Sequence, residues 1–200
     1  MERAVTAGAE RDPLLTLEPL IDAVRDGVEA AGWTLSGLQK TTSEEFEGRW
    51  QGQSTRSAYL FFHRDSLGDD VSVDVYLDET SSGLQGNLAL VVEAPPLSAL
   101  EPVSETLADL GRAASGHLPA GYRTPVSIRA RLDGAGSSPR EADVEVRIKL
   151  RIPRGAVEAG ASAVSALATS SVRAFERLLA DPELRRYAHG WEDRSPGRDA

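Results

Sequence analysis

Between Ala142 and Ile152 every second residue is apolar, and every residue in between, from Asp143 through Glu145, Arg147 and Lys149 to Arg151, is charged. Successive side chains on a β-strand point to opposite faces, so this run fits a strand with one face on a core and the other exposed to water or a polar partner. Val71, Val73, Val75 and Leu77 alternate with Ser72, Asp74, Tyr76 and Asp78 in the same way, as do Val126, Ile128, Ala130 and Leu132 with their polar neighbours. An all-parallel sheet buries both faces and reads as continuous apolar runs. The alternation therefore predicts an α+β fold: an antiparallel sheet with helices packed mainly on one face.

The helices follow from a different period. Leu17, Leu20, Ile21, Val24, Val28 and Ala31 recur at helical spacing after Thr16, a cap candidate, with Pro19 in the first turn and Gly32 placed to end the helix in a left-handed conformation. The period then changes to two, predicting strands over about Trp33–Gln39, Glu44–Gln51, Arg56–His63, Val71–Asp78 and Leu84–Glu93, with breaks at Thr41 to Ser43, Gly52 to Ser54, Asp65 to Asp70 and Ser81 to Gly83. Leu100, Val103, Leu107 and Leu110 predict a second helix over 102–115, with Pro102 as its first residue and Ser98 and Glu101 at capping-box spacing. Two strands follow around the loop Asp133 to Pro139, their charged faces offering an ion ladder between Arg129 or Arg131 and the Asp143 to Arg151 series. A last helix spans about Arg154 to Ala180, on Val157, Ala161, Val164, Ala168, Val172, Phe175 and Leu179. Residues 1–13 read as a mobile arm, 14–180 as a single domain and 181–200 as a charged tail.

One strand breaks the apolar-polar rule. In Ala58-Tyr59-Leu60-Phe61-Phe62 both faces are apolar. If helices cover one side of the sheet only, Tyr59 and Phe61 join Tyr76, Ala89 and Val91 in a patch on the open side, where another polypeptide or a second copy of the chain would bury them. The competing reading has a helix or the N-terminal arm covering that face.

Composition removes many chemistries. With no cysteine there is no disulfide, thiolate–zinc site or cysteine nucleophile. A net charge of −9 disfavours binding to nucleic-acid phosphates, and it lies in the first half, where 7 basic residues face 17 acidic ones. The phosphate loop, dinucleotide fingerprint, nucleophile elbow and zinc-protease helix are absent. His63, His117 and His189 are scattered, and the acidic group Asp65, Asp69, Asp70, Asp74, Asp78 and Glu79 fits no calcium loop: Asp74 and Asp78 stand roughly 13 Å apart on an extended strand. The expectation is no cofactor, no metal and no catalytic residue. The Ala-rich stretch 155–171 is too polar to span a membrane, and nothing at the N-terminus resembles a secretion signal, which predicts a cytoplasmic, bacterial, acidic globular domain.

The element order, helix, strands, helix, two strands, helix, with Gly32-Trp33 at the exit of the first helix, resembles the type III secretion chaperone and YbjN-like superfamily over about residues 14–180. That superfamily shares helix, three strands, helix, two strands, helix; the first sheet segment here carries extra strands. The resemblance implies a non-catalytic α+β domain, often dimeric, that binds another polypeptide through exposed apolar surface, and it transfers no role to any single residue. The sequence thus points to a chaperone-like or adaptor-like protein-binding module, possible as a homodimer. The alternative is a small-molecule-binding or enzymatic α+β domain with a pocket between the sheet and the final helix.

Overall fold

The computed structural model describes residues 14, 16–43, 55–94, 100, 102–118, 126–131 and 143–187. Helix α1 (Leu17–Glu29) leads into strands β1 (Thr34–Ser43), β2 (Thr55–His63), β3 (Val71–Thr80) and β4 (Gly83–Ala94). Helix α2 (Val103–His117), strands β5 (Val126–Arg131) and β6 (Asp143–Arg151) and helices α3 (Arg154–Glu158), α4 (Ala161–Leu179) and α5 (Pro182–Tyr187) follow. The strands form one antiparallel sheet in the order β1-β2-β3-β4-β6-β5, so the chain is α+β as the alternation requires.

Register turns the alternation into a layer. Leu60 stands opposite Val75, Val75 opposite Leu88 and Leu88 opposite Leu150, a row of buried side chains crossing four strands. Leu20, Val24 and Val28 of α1 and Val164, Ala168, Val172 and Phe175 of α4 close over this face in one core. Each fully buried Leu, Val or Phe contributes about 1.5–3 kcal/mol relative to exposure, so this one-sided core dominates folding. The two helices meet closely: Thr169 Oγ1 donates to the Gly27 carbonyl at 2.7 Å.

Several local expectations are revised. Thr16 occupies the cap position without a side-chain hydrogen bond; the Leu17 N–H instead donates to Glu79 Oε2 at 2.9 Å, tying the helix start to the end of β3. Gly32 does adopt positive φ, +87°. The break read at Thr41 to Ser43 is not a turn, because these residues pair with Ser57, Arg56 and Thr55 and prolong β1. Pro102 precedes α2 as its cap instead of opening it. The long last helix is two helices: Gly160, at φ +97°, breaks the run between α3 and α4. After Asp181, where the sequence suggested only a tail, α5 forms; Leu184 is buried, and Asp181 Oδ1 accepts the Glu183 N–H as a cap. His117 at the end of α2 hydrogen-bonds the same carboxylate at 2.8 Å and, with that N–H, holds the Asp181 carboxyl below its ordinary range. The expected strand 44–51, the capping pair Ser98 and Glu101, the arm 1–13 and the loop 133–139 lie outside the described residues.

Candidate functional site

The helices contribute their buried side chains to one face of the sheet; the opposite face, among the described residues, carries no helix. The alternation of β2 sends Ala58, Leu60 and Phe62 into the core and Tyr59 and Phe61 outward, where they remain 37% and 39% exposed. Tyr59 stands opposite Tyr76 in the register, and their rings meet at a centroid distance of 4.9 Å, tilted by 46°. Beside them β1 carries a bulge at Ser36, whose hydroxyl donates to the Phe61 carbonyl at 3.0 Å. The next residue, Gly37, pairs with Phe61; a Cβ there would lie 3.3 Å from the Phe61 ring, so the absence of a side chain leaves the ring its place.

Strand β6 lies beside β4, which brings a second wall within reach. Phe61, Asp74, Ala89 and Lys149 form one row across β2, β3, β4 and β6. Tyr59, Phe61, Tyr76 and Ala89 line a hollow of about 390 Å³ together with Arg129, Arg147 and Lys149. Ala89, expected in the exposed patch, is 1% exposed and serves as floor, because Asp74 and Lys149 flank it in the register with far longer side chains. Val91 falls outside this hollow and into a neighbouring one of about 350 Å³, beside Asp70, Glu93, Asp143 and Glu145. Of the five residues singled out in the sequence, four thus converge and one borders an acidic surface.

The register sets Arg129 opposite Glu145 and Arg131 opposite Asp143, the pairing that the expected ladder between β5 and β6 requires. Arg147 binds Asp74 of β3 at 2.6 Å and Glu145 of its own strand at 2.7 Å, so it adds a tie across β4 that the sequence pattern does not record. Its side chain is 15% exposed, and its Nε has no hydrogen-bond partner among the described residues. The former metal candidates are dispersed among other partners. Asp74 also accepts from Ser72, Asp78 accepts from Ser57 and Gln85, and Glu79 accepts from Leu17 and Arg56. Among the described residues no group of three His, Asp or Glu side chains is arranged to hold a metal ion. Between sheet and α4, Val164, Ala168, Val172 and Phe175 fill the shared core.

Comparison with protein-family models, curated proteins and solved structures finds no match for this chain. No helix among the described residues is long and apolar enough to cross a membrane.

The acidic hollow has a measurable electrostatic consequence. Partial burial, followed by the charges of Asp70, Asp143 and Glu145, raises the Glu93 carboxyl above its ordinary range. A raised carboxyl pKa means that the folded state holds the proton more tightly than the unfolded chain, so ionised Glu93 opposes folding at neutral pH and the opposition fades as pH falls through the folded value. Glu93→Gln is therefore expected to stabilise the protein slightly at pH 7, within about 0.5 kcal/mol for so exposed a position, and to change nothing once wild-type Glu93 is protonated. Thermal melts of both proteins at pH 7 and pH 4 check this; a gain that persists unchanged at pH 4 excludes the electrostatic cause.

Proposed function

We propose that the protein is a cytoplasmic, non-catalytic polypeptide-binding module, chaperone-like or adaptor-like, whose helix-free sheet face holds another polypeptide or a second copy of the chain. The observation that carries this reading is the exposure of Tyr59 and Phe61 side by side on that face. A buried aromatic ring covers about 150–250 Å², so covering the exposed part of these two rings is worth about 4 kcal/mol at ~25 cal/mol per Å². Aromatic anchors in a hollow with polar surroundings are the usual centre of a protein interface. The resemblance of the element order to that of the secretion chaperone and YbjN-like superfamily, with one strand more in the first sheet segment, supports it.

Tyr59→Ser combined with Phe61→Ser is expected to reduce partner capture or self-association about tenfold or more, while circular dichroism stays native, because neither ring is in the core. Pull-down from the native host beside light scattering of both proteins reads the effect. Unfolding of the double variant, or undiminished association, overturns the reading.

A further inference from the structure

The open face is not uniformly apolar, and its charges select the partner. In a chain of net charge −9, the aromatic hollow is bounded by three cations, Arg129, Arg147 and Lys149, against the single carboxylate of Asp74. Arg147 is engaged by Asp74 and Glu145. Arg129 stands opposite Glu145 in the register, whereas Lys149, and Arg151 two positions along β6 on the same face, have no hydrogen bond or ion pair with any described residue. A further hollow of about 290 Å³, lined by Tyr76, Gln85, Asn87, Lys149 and Arg151, continues from the first through Tyr76, Asn87 and Lys149. Together they make a continuous trough with rings on one side and cations on the other. At its far end the carboxylates of Asp70, Glu93, Asp143 and Glu145 repel an acidic occupant and so fix which way it extends.

Resting on the polypeptide-binding reading, we infer that the partner is an acidic segment with an apolar or aromatic anchor. The anchor seats on Tyr59, Phe61 and Ala89, and the flanking carboxylates meet Lys149 and Arg151. The rings supply affinity; the cations supply choice of partner and approach rate, and their effect weakens as salt screens it.

Two fluorescein-labelled decapeptides with the same Phe and Leu anchors, one carrying Asp and Glu between them and the other Lys and Arg, provide the test by fluorescence polarisation against the full chain. The acidic peptide is expected to bind about tenfold or more tighter than the basic one, with the gap narrowing at high salt. Lys149→Glu plus Arg151→Glu is expected to reverse the preference, and Tyr59→Ser plus Phe61→Ser to weaken both peptides. Equal binding of the two peptides that still depends on Tyr59 and Phe61 overturns the charge inference and leaves the polypeptide-binding reading standing. Binding indifferent to the rings overturns both. The inference also falls if neither peptide binds, if free phenylacetate competes as well as the acidic peptide, or if light scattering shows a dimer that the same charge reversal abolishes.

Discussion

Replacing Gly27 by alanine is expected to lower the melting temperature by about 4–8 °C, although alanine is the better helix former. The reason lies in the contact between α1 and α4. A Cβ at position 27 would lie 2.3 Å from the Ser165 carbonyl oxygen and 2.8 Å from the Ala168 Cβ. Neither obstacle can rotate away, since one is backbone and the other is fixed to it. The helices must separate instead, which loosens the core that α1 and α4 share and stretches the hydrogen bond from Thr169 to the Gly27 carbonyl. Overpacking against fixed backbone costs about 3 kcal/mol, and the ~1 kcal/mol that alanine gains in helix propensity leaves a net loss of about 2 kcal/mol. Gly27→Leu, with a far larger side chain, is expected to prevent folding. Gly111→Ala in α2 is the control: beyond its own helix backbone no atom of the described residues lies within 4 Å of its would-be Cβ, so propensity acts alone and stability rises by about 0.5–1 kcal/mol. Thermal melts that move Gly27→Ala and Gly111→Ala in the same direction would remove the close α1–α4 contact from the account.

How far such features are legible in the chain depends on the range over which they are encoded. The alternation of β3 and β6 and the stripe of α1 are local, and the structure follows them closely, burying Val71, Val73, Val75 and Leu77 and leaving Asp74 and Tyr76 on the other side. The exceptions are Asp78, which is buried against Ser57 and Gln85, and Ala31, which lies past the end of α1. The polar run Thr41 to Ser43 looks like a turn in isolation; it is held extended by pairing with β2, which no local pattern records. Gly160 looks like one small residue among many, and only its positive φ makes it a helix boundary. The aromatic half of the site was readable because Tyr59 and Phe61 interrupt an alternation. The cationic half was not, because Lys149 reaches Phe61's row through β4, and the sequence reading paired β6 with β5 alone. Gly37 was missed for the same reason: its importance comes from the neighbouring strand, through the ring it accommodates.

The open face can be altered without threatening the fold because the elements are tied together behind it, and Trp33 is the clearest of those ties. It follows Gly32 at the exit from α1, is 2% exposed, and its indole N–H donates to Glu176 Oε1 in α4 at 3.1 Å. Arg64, just beyond β2, binds the same carboxylate. One glutamate thus joins the end of the first helix, the end of a central strand and the last turns of α4. Trp33→Ala is expected to cost about 3–5 kcal/mol, the range for emptying an aromatic core site, or about 6–20 °C in melting temperature. Trp33→Phe keeps most of the ring and leaves Glu176 its pairing with Arg64, so it should lose only the hydrogen bond and part of the volume, about 1–2 kcal/mol. Urea titrations of the three proteins separate the contributions. If phenylalanine proves as damaging as alanine, the bond to Glu176, and not the packed ring, holds the junction. In either case Tyr59 and Phe61 lie on the other side of the sheet from Trp33, and their substitution should leave the urea midpoint near that of the wild type.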